Sequence, residues 1–186
     1  MHPSTYYYSH TKIPIPKVDW ESVWNDTVPT GYPKWKPMDI PADAWSTEIT
    51  DKFKAINLRP SLLRVFKWKQ NAVYPWHIDG DNLHVSKFAL NWIVGGEGRI
   101  QWDDTLVLPT DKTGITAGLL RGGPKDHYTC QSADSGNGCL LKIDIPHRVT
   151  TIGDTEPRHT LSLLFAKADN RTYDEIRQLM IGVGLI

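Results

Sequence analysis

Short runs of β-branched and aromatic residues, each bounded by Gly, Asp, Asn or Pro, fill the middle of the chain: Leu62–Trp68, Tyr74–Asp79, Lys87–Val94, Arg99–Trp102, Leu140–Ile145, Arg148–Ile152 and His159–Phe165. Residues of that kind suit a pleated, half-buried surface, so each run is predicted to be a strand, and such a series points to a sandwich or small barrel. Two stretches have helical spacing instead. From Pro41 to Ile56, Ala44, Trp45, Ile49, Phe53 and Ile56 fall near one face before Pro60 ends the pattern. Over residues 172–182, Thr172 and Glu175 have capping-box spacing and Ile176, Leu179 and Met180 follow at helical intervals.

Outside these elements the pattern changes. Residues 1–40 carry Pro14, Pro16, Trp20, Trp24, Pro29, Pro33, Trp35 and Pro37, which no long regular element tolerates, and are predicted to wrap the domain as an extended arm. Residues 103–138 are rich in Thr, Asp, Gly and Ser, and a segment of that length in a compact domain is either a lid over a site or a decorated loop. No repeat interrupts the order, so a single domain over 1–186 with its core over 60–166 is expected.

Composition narrows the class. A chain of 186 residues buries roughly 70% of its unfolded surface and needs no disulfide framework. Its two cysteines, Cys130 and Cys139, have no metal-finger spacing and read as reduced thiols. Lys and Arg together number 21, as do Asp and Glu, so no basic surplus favours nucleic acid. Residues 1–17 contain no apolar run of the kind a secretory signal or membrane anchor needs, and a cytoplasmic protein is the expectation.

Chemistry enters at Pro75-Trp76-His77-Ile78-Asp79-Gly80. Residues two apart on a strand point the same way, so the His77 imidazole and the Asp79 carboxylate share a face and can close on one cation. With seven histidines in the chain, that triplet alone carries little. More telling is the stretch around Pro146-His147-Arg148-Val149, followed by Gly153-Asp154-Thr155-Glu156-Pro157 and then Arg158-His159-Thr160-Leu161-Ser162. The turn residues predict a hairpin with His147 across from Ser162 and Arg158 across from Thr151. Arg158 then lies four strand residues from the histidine, roughly 13 Å away.

His77-x-Asp79, then His147, then Arg158 with Thr160 and Ser162 on its strand face, resembles the His-x-Asp/Glu…His…Arg-x-Ser/Thr pattern of the 2-oxoglutarate and Fe(II)-dependent oxygenases. Ala89-Leu90-Asn91-Trp92 and Pro146-His147-Arg148-Val149 are similar to the small stand-alone members related to aspartyl/asparaginyl hydroxylases and to phage or marine-bacterial dioxygenases. The resemblance covers about Leu62 to Phe165. It implies a mostly β, double-stranded β-helix (a jelly-roll or cupin-like barrel) with a few flanking helices. It implies Fe(II) held by His77, Asp79 and His147, 2-oxoglutarate anchored by Arg158 with Thr160 or Ser162 adding a hydrogen bond, and O2 as oxidant. The reaction so implied is hydroxylation of a small-molecule or peptide substrate with release of succinate and CO2.

Other residues have plainer alternatives. Arg64 and Lys87 are substitute cations for the anchor. Asn91 either touches the cosubstrate or pins a neighbouring loop. Trp76, Trp92 and Trp102 read as core aromatics, Tyr74 and Gln101 as candidates for the pocket wall, and His84, His127 and His159 have no motif around them. The rival readings are a cupin-like metal- or ligand-binding barrel without oxygenase activity, a zinc hydrolase, and an interaction module. A His-x-Asp start and a distant arginine weigh against the first two.

Overall fold

The computed structural model describes residues 7–23, 34–69, 71–79, 87–103, 116–118, 128–131, 136–152, 158–166 and 170–186. Eleven described strands form two antiparallel sheets. The larger takes the order β1 (Tyr8–Pro14), β9 (Asn137–Lys142), β5 (Phe88–Gly95), β11 (Arg158–Phe165), β3 (Pro60–Trp68) and β2 (Lys34–Met38). The smaller runs β7 (Thr116–Gly118), β4 (Trp76–Ile78), β10 (His147–Ile152), β6 (Glu97–Trp102) and β8 (Tyr128–Gln131). From β3 to β6 and again from β8 to β11 the chain steps back and forth between the sheets. That alternation winds a double-stranded β-helix.

Period two explains the layers. On β3, Leu63 and Val65 face outward while Phe66 and Trp68 face the other sheet; on β11, Leu161, Leu163 and Phe165 face outward while Thr160, Ser162 and Leu164 face in. The outward set packs under helix α1 (Thr47–Ala55) through Ile49 and Phe53, and under α2 (Tyr173–Gly182) through Tyr173, Ile176 and Met180. Leu63, Leu161 and Leu163 are fully buried there, each contributing about 1.5–3 kcal/mol. The inward set, with Tyr74, Ile100, Trp102, Leu141, Ile143 and Val149, makes a second core between the sheets.

Each of the seven predicted strands is present to within a few residues. The first helix is shorter than its pattern: Ser46 accepts the Ile49 N–H as N-cap, and residues 41–44 form a separate turn closed from Ala44 N–H to Pro41 O. The second helix has both halves of its capping box, Thr172 with Glu175.

Two expectations gain detail and one is corrected. The proline-rich arm contributes strands, β1 and β2, at the two edges of the larger sheet, where Pro37 costs least because an edge residue has one side without a ladder. The segment 103–138 supplies β7 and β8, and its remaining residues, His127 included, lie outside the described ones except at its ends. The hairpin across 153–157 does not form: β10 pairs with β4 and β6, β11 pairs with β3 and β5, and His147 faces His77 and Trp102 rather than Ser162. Strand β11 is buried on both faces, which only an interior position of the larger sheet provides.

Candidate metal centre

His77 on β4 and His147 on β10 are direct cross-strand partners, and their ring centroids lie 4.4 Å apart. Asp79 follows two residues after His77, on the same side, and its N–H donates to Ile143 O at 3.0 Å, which ties the end of β4 to the chain entering β10. Asp79 Oδ1 lies 3.6 Å from His77 Nε2, and Oδ2 lies 3.8 Å from His147 Nε2. One ligand atom from each residue falls within 4.8 Å of the others.

The hydrogen bonds fix what those atoms are. His77 Nδ1 sits 3.0 Å from Pro75 O and His147 Nδ1 sits 2.9 Å from Ile145 O. A carbonyl oxygen only accepts, so each Nδ1 carries a proton and Nε2 is the ring atom that each histidine turns toward Asp79. Burial, then the neighbouring His77, push the His147 pKa down to about 4, with Asp79 and the Ile145 carbonyl opposing, so this ring is neutral at pH 7. With Nε2 unprotonated on both rings, two lone pairs and a carboxylate converge on one point, the donor arrangement that a cation between them would satisfy. Metal–ligand bonds of about 2.1 Å at right angles put donor atoms roughly 3 Å apart, so the two histidine–Asp79 separations need to close by under about 1 Å and no donor pair by more than about 2 Å. The backbone carbonyls behind both rings are the orienting partners a ligating histidine needs.

A cavity of about 320 Å³ opens on these residues, walled on the larger sheet by Arg64, Trp68, Asn91, Leu141, Thr160 and Ser162 and opposite by Tyr74, Ile100, Trp102 and Val149. Thr160 Oγ1 accepts from Trp68 Nε1 at 3.1 Å. The Tyr74 hydroxyl accepts the Lys69 N–H at 2.9 Å, and burial raises its pKa.

Arg158 is 1% exposed, with its guanidinium carbon 5.8 Å from the Trp68 ring centroid. It lies behind the larger cavity rather than on its wall, and borders a pocket of about 20 Å³ that shares Asn91, Ile100 and Leu141 with it. Room for the side chain comes from Gly96 and Gly98. A Cβ at Gly98 would strike Arg158 Nη1 and lie 2.8 Å from Thr150 O, and Gly96, at φ +68°, would put one 2.7 Å from the Arg158 backbone. Gly98 pairs with Thr151 on β10, whereas Arg158 pairs with Trp68 on β3 and not with Thr151 as the hairpin reading had it.

Asn91 and Ser162 face the cavity as neighbours across β5 and β11. Of the substitute cations, Arg64 lines the cavity and Lys87 is exposed, outside the lining. Tyr74 is on the wall; Gln101 is not, because Trp102 takes the inward face and Gln101 turns outward to accept from Arg148 Nε at 2.9 Å. Trp92 packs under the helices, Trp76 lies under the Arg148 guanidinium, and Trp102 is both core and cavity wall. His159 turns away from the cavity, its ring 5.5 Å from Trp20, and His84 lies outside the described residues. Trp35 and Trp68, absent from the sequence reading of the site, line it as well; strand parity with Arg64 pointed to Trp68, and nothing local pointed to Trp35. Cys139 is buried, and no described helix is long and apolar enough to cross a membrane.

No family model matches the chain, and no curated protein matches its sequence. Among solved structures it is similar to a Pseudomonas putida prolyl-4-hydroxylase (TM-score 0.40, 15% identity, 73% of this chain and 69% of that one). It is also similar to the hydroquinone 1,2-dioxygenase PnpCD (0.36, 14%, 61% and 63%) and to the vicilin from Solanum melongena (0.40, 8%, 75% and 30%). The chain thus spans less than two thirds of the dioxygenase and under a third of the vicilin.

Proposed function

We propose that this chain is a non-haem Fe(II) and 2-oxoglutarate-dependent dioxygenase that hydroxylates a small-molecule or peptide substrate, releasing succinate and CO2. The observation that carries the reading is the convergence of His77 Nε2, His147 Nε2 and the Asp79 carboxylate at the wall of a cavity of about 320 Å³. Two imidazoles and one carboxylate are the donor set of non-haem iron oxygenases, which leave positions open for cosubstrate and oxidant. Bound there, the iron would supply the redox chemistry, while the protein places the reactants and excludes water. The side chains divide the work. His77 and His147, each held by a backbone carbonyl, and Asp79, held through its own N–H, fix the ion. Arg158 offers a planar, permanently charged fork for the remote carboxylate of 2-oxoglutarate, with Ser162 and Thr160 toward the cavity and Asn91 bordering both pockets. Trp68, Trp102, Ile100 and Val149 keep the walls apolar.

The placement of Arg158 behind the main cavity favours a second reading, a cupin-like barrel that binds a metal or ligand without oxygenase turnover. Anaerobic titration with Fe(II) and then 2-oxoglutarate separates the two. The oxygenase gives a weak visible charge-transfer band that His77→Ala abolishes, and succinate forms when air is admitted. Folded, iron-loaded protein with neither band nor succinate is the barrel without turnover.

A further inference from the structure

The wall facing the metal ligands carries a second cation. Arg64 on β3, Ser162 on β11 and Asn91 on β5 are successive partners across the larger sheet, and all three line the cavity. The Arg64 guanidinium carbon lies 4.4 Å from the centroid of Trp35, a half-exposed indole on edge strand β2 that borders the same cavity. Stacking on an indole face holds the fork in one plane and leaves its edge available. Arg64 Nε is buried with no hydrogen-bond partner among the described residues, and so is Asn91 Oδ1. An N–H donor of a guanidinium and an amide acceptor, both withdrawn from water, are costly unless something fills them.

The charges name the filler. On the reading proposed above, which this inference rests on, Fe(II) and Arg158 balance Asp79 and the two carboxylates of 2-oxoglutarate. Among the described cavity-lining residues the remaining ionisable groups are Arg64, Tyr74 and the two ligand histidines, so one positive charge, that of Arg64, is left over. We infer that Arg64, backed by Trp35 and flanked by Ser162 and Asn91, binds a carboxylate of the primary substrate, a small acid that also carries an N–H or O–H donor for Asn91 Oδ1. A carboxylate docking side-on takes Nε together with one Nη, which is the edge left open here. A phosphate monoester, at about −1.5 to −2 charges at neutral pH, overshoots the single charge available. A cavity of about 320 Å³ is at the small end of ligand sites and suits a metabolite of amino-acid size.

The test is isothermal titration of the anaerobic protein, loaded with Fe(II) and 2-oxoglutarate, against the N-acetyl amino acids, their carboxamides and phenyl phosphate. The expected result is that at least one acid binds, that its carboxamide binds about tenfold to a hundredfold more weakly, and that phenyl phosphate binds no better than the carboxamide. Arg64→Met should erase the preference for acid over amide, Arg64→Lys should restore part of it, and the affinity for 2-oxoglutarate should change far less than that for the acid. Binding of no acid, equal binding of acid and amide, or a preference for phosphate overturns the inference. So does a loss of 2-oxoglutarate affinity in Arg64→Met as large as the loss for the acid, which would make Arg64 the cosubstrate anchor. Failure of 2-oxoglutarate to bind the parent protein refutes the proposed function itself.

Discussion

Replacing Arg158 by methionine removes the proposed cosubstrate anchor while retaining most of the side-chain volume in a site 1% exposed to solvent. The 2-oxoglutarate carboxylate would then be buried beside the Trp68 face without its cation. Removing one partner of a buried ion pair costs about 3–5 kcal/mol. At about 1.4 kcal/mol per tenfold, the Kd for 2-oxoglutarate should rise roughly a hundredfold to a few thousandfold. The assay is the charge-transfer band, titrated anaerobically with 2-oxoglutarate at saturating Fe(II), with thermal unfolding as the control for structure. Iron affinity should stay within a few fold, because His77, Asp79 and His147 lie on the opposite sheet. A folded Arg158→Met protein with the parental Kd refutes the assignment.

Three further outcomes follow from the geometry. Gly98→Ala should press a methyl on both the Arg158 side chain and the Thr150 carbonyl and weaken 2-oxoglutarate binding more than iron binding, read by the same titration. Thr151→Val deletes a buried hydroxyl that accepts from Ala72 N–H and donates to Lys69 O; an unfilled buried group costs about 1–3 kcal/mol, so Tm should fall by several degrees in calorimetry. In the metal-free protein the His147 pKa lies at about 4 against 6.5 in the reference state, so the unfolded chain takes up this proton first on acidification. The stability from keeping the ring neutral is present in full above about pH 6.5, is lost as pH falls toward 4, and amounts to about 3 kcal/mol; urea denaturation of parent and His147→Gln should differ in slope across that window.

Local pattern made the strands legible because each carries its own period-two signal, and the His77-x-Asp79 pair was legible for the same reason. Partner choice was not. The turn residues 153–157 are as compatible with a crossing between sheets as with a hairpin, and what decides is the burial of Leu161 and Leu163 on one face of β11 and of Thr160 and Ser162 on the other. The edge strands escaped because Pro14 and Pro37 look like breakers until their place at the rim is known. Gln101 could have been placed by parity alone, since an inward Trp102 requires an outward neighbour. Trp35 reaches the cavity only through the pairing of β2 with β3, which no local motif encodes.

The residues proposed to hold the ion and those proposed to hold the anions belong to different sheets, face to face like opposing jaws. On that reading their spacing follows from how the two sheets pack, at roughly the 10 Å typical of stacked sheets. Repacking Leu164, which belongs to the core between the sheets and does not line the cavity, would retune the distance between the two sets with every polar group left in place.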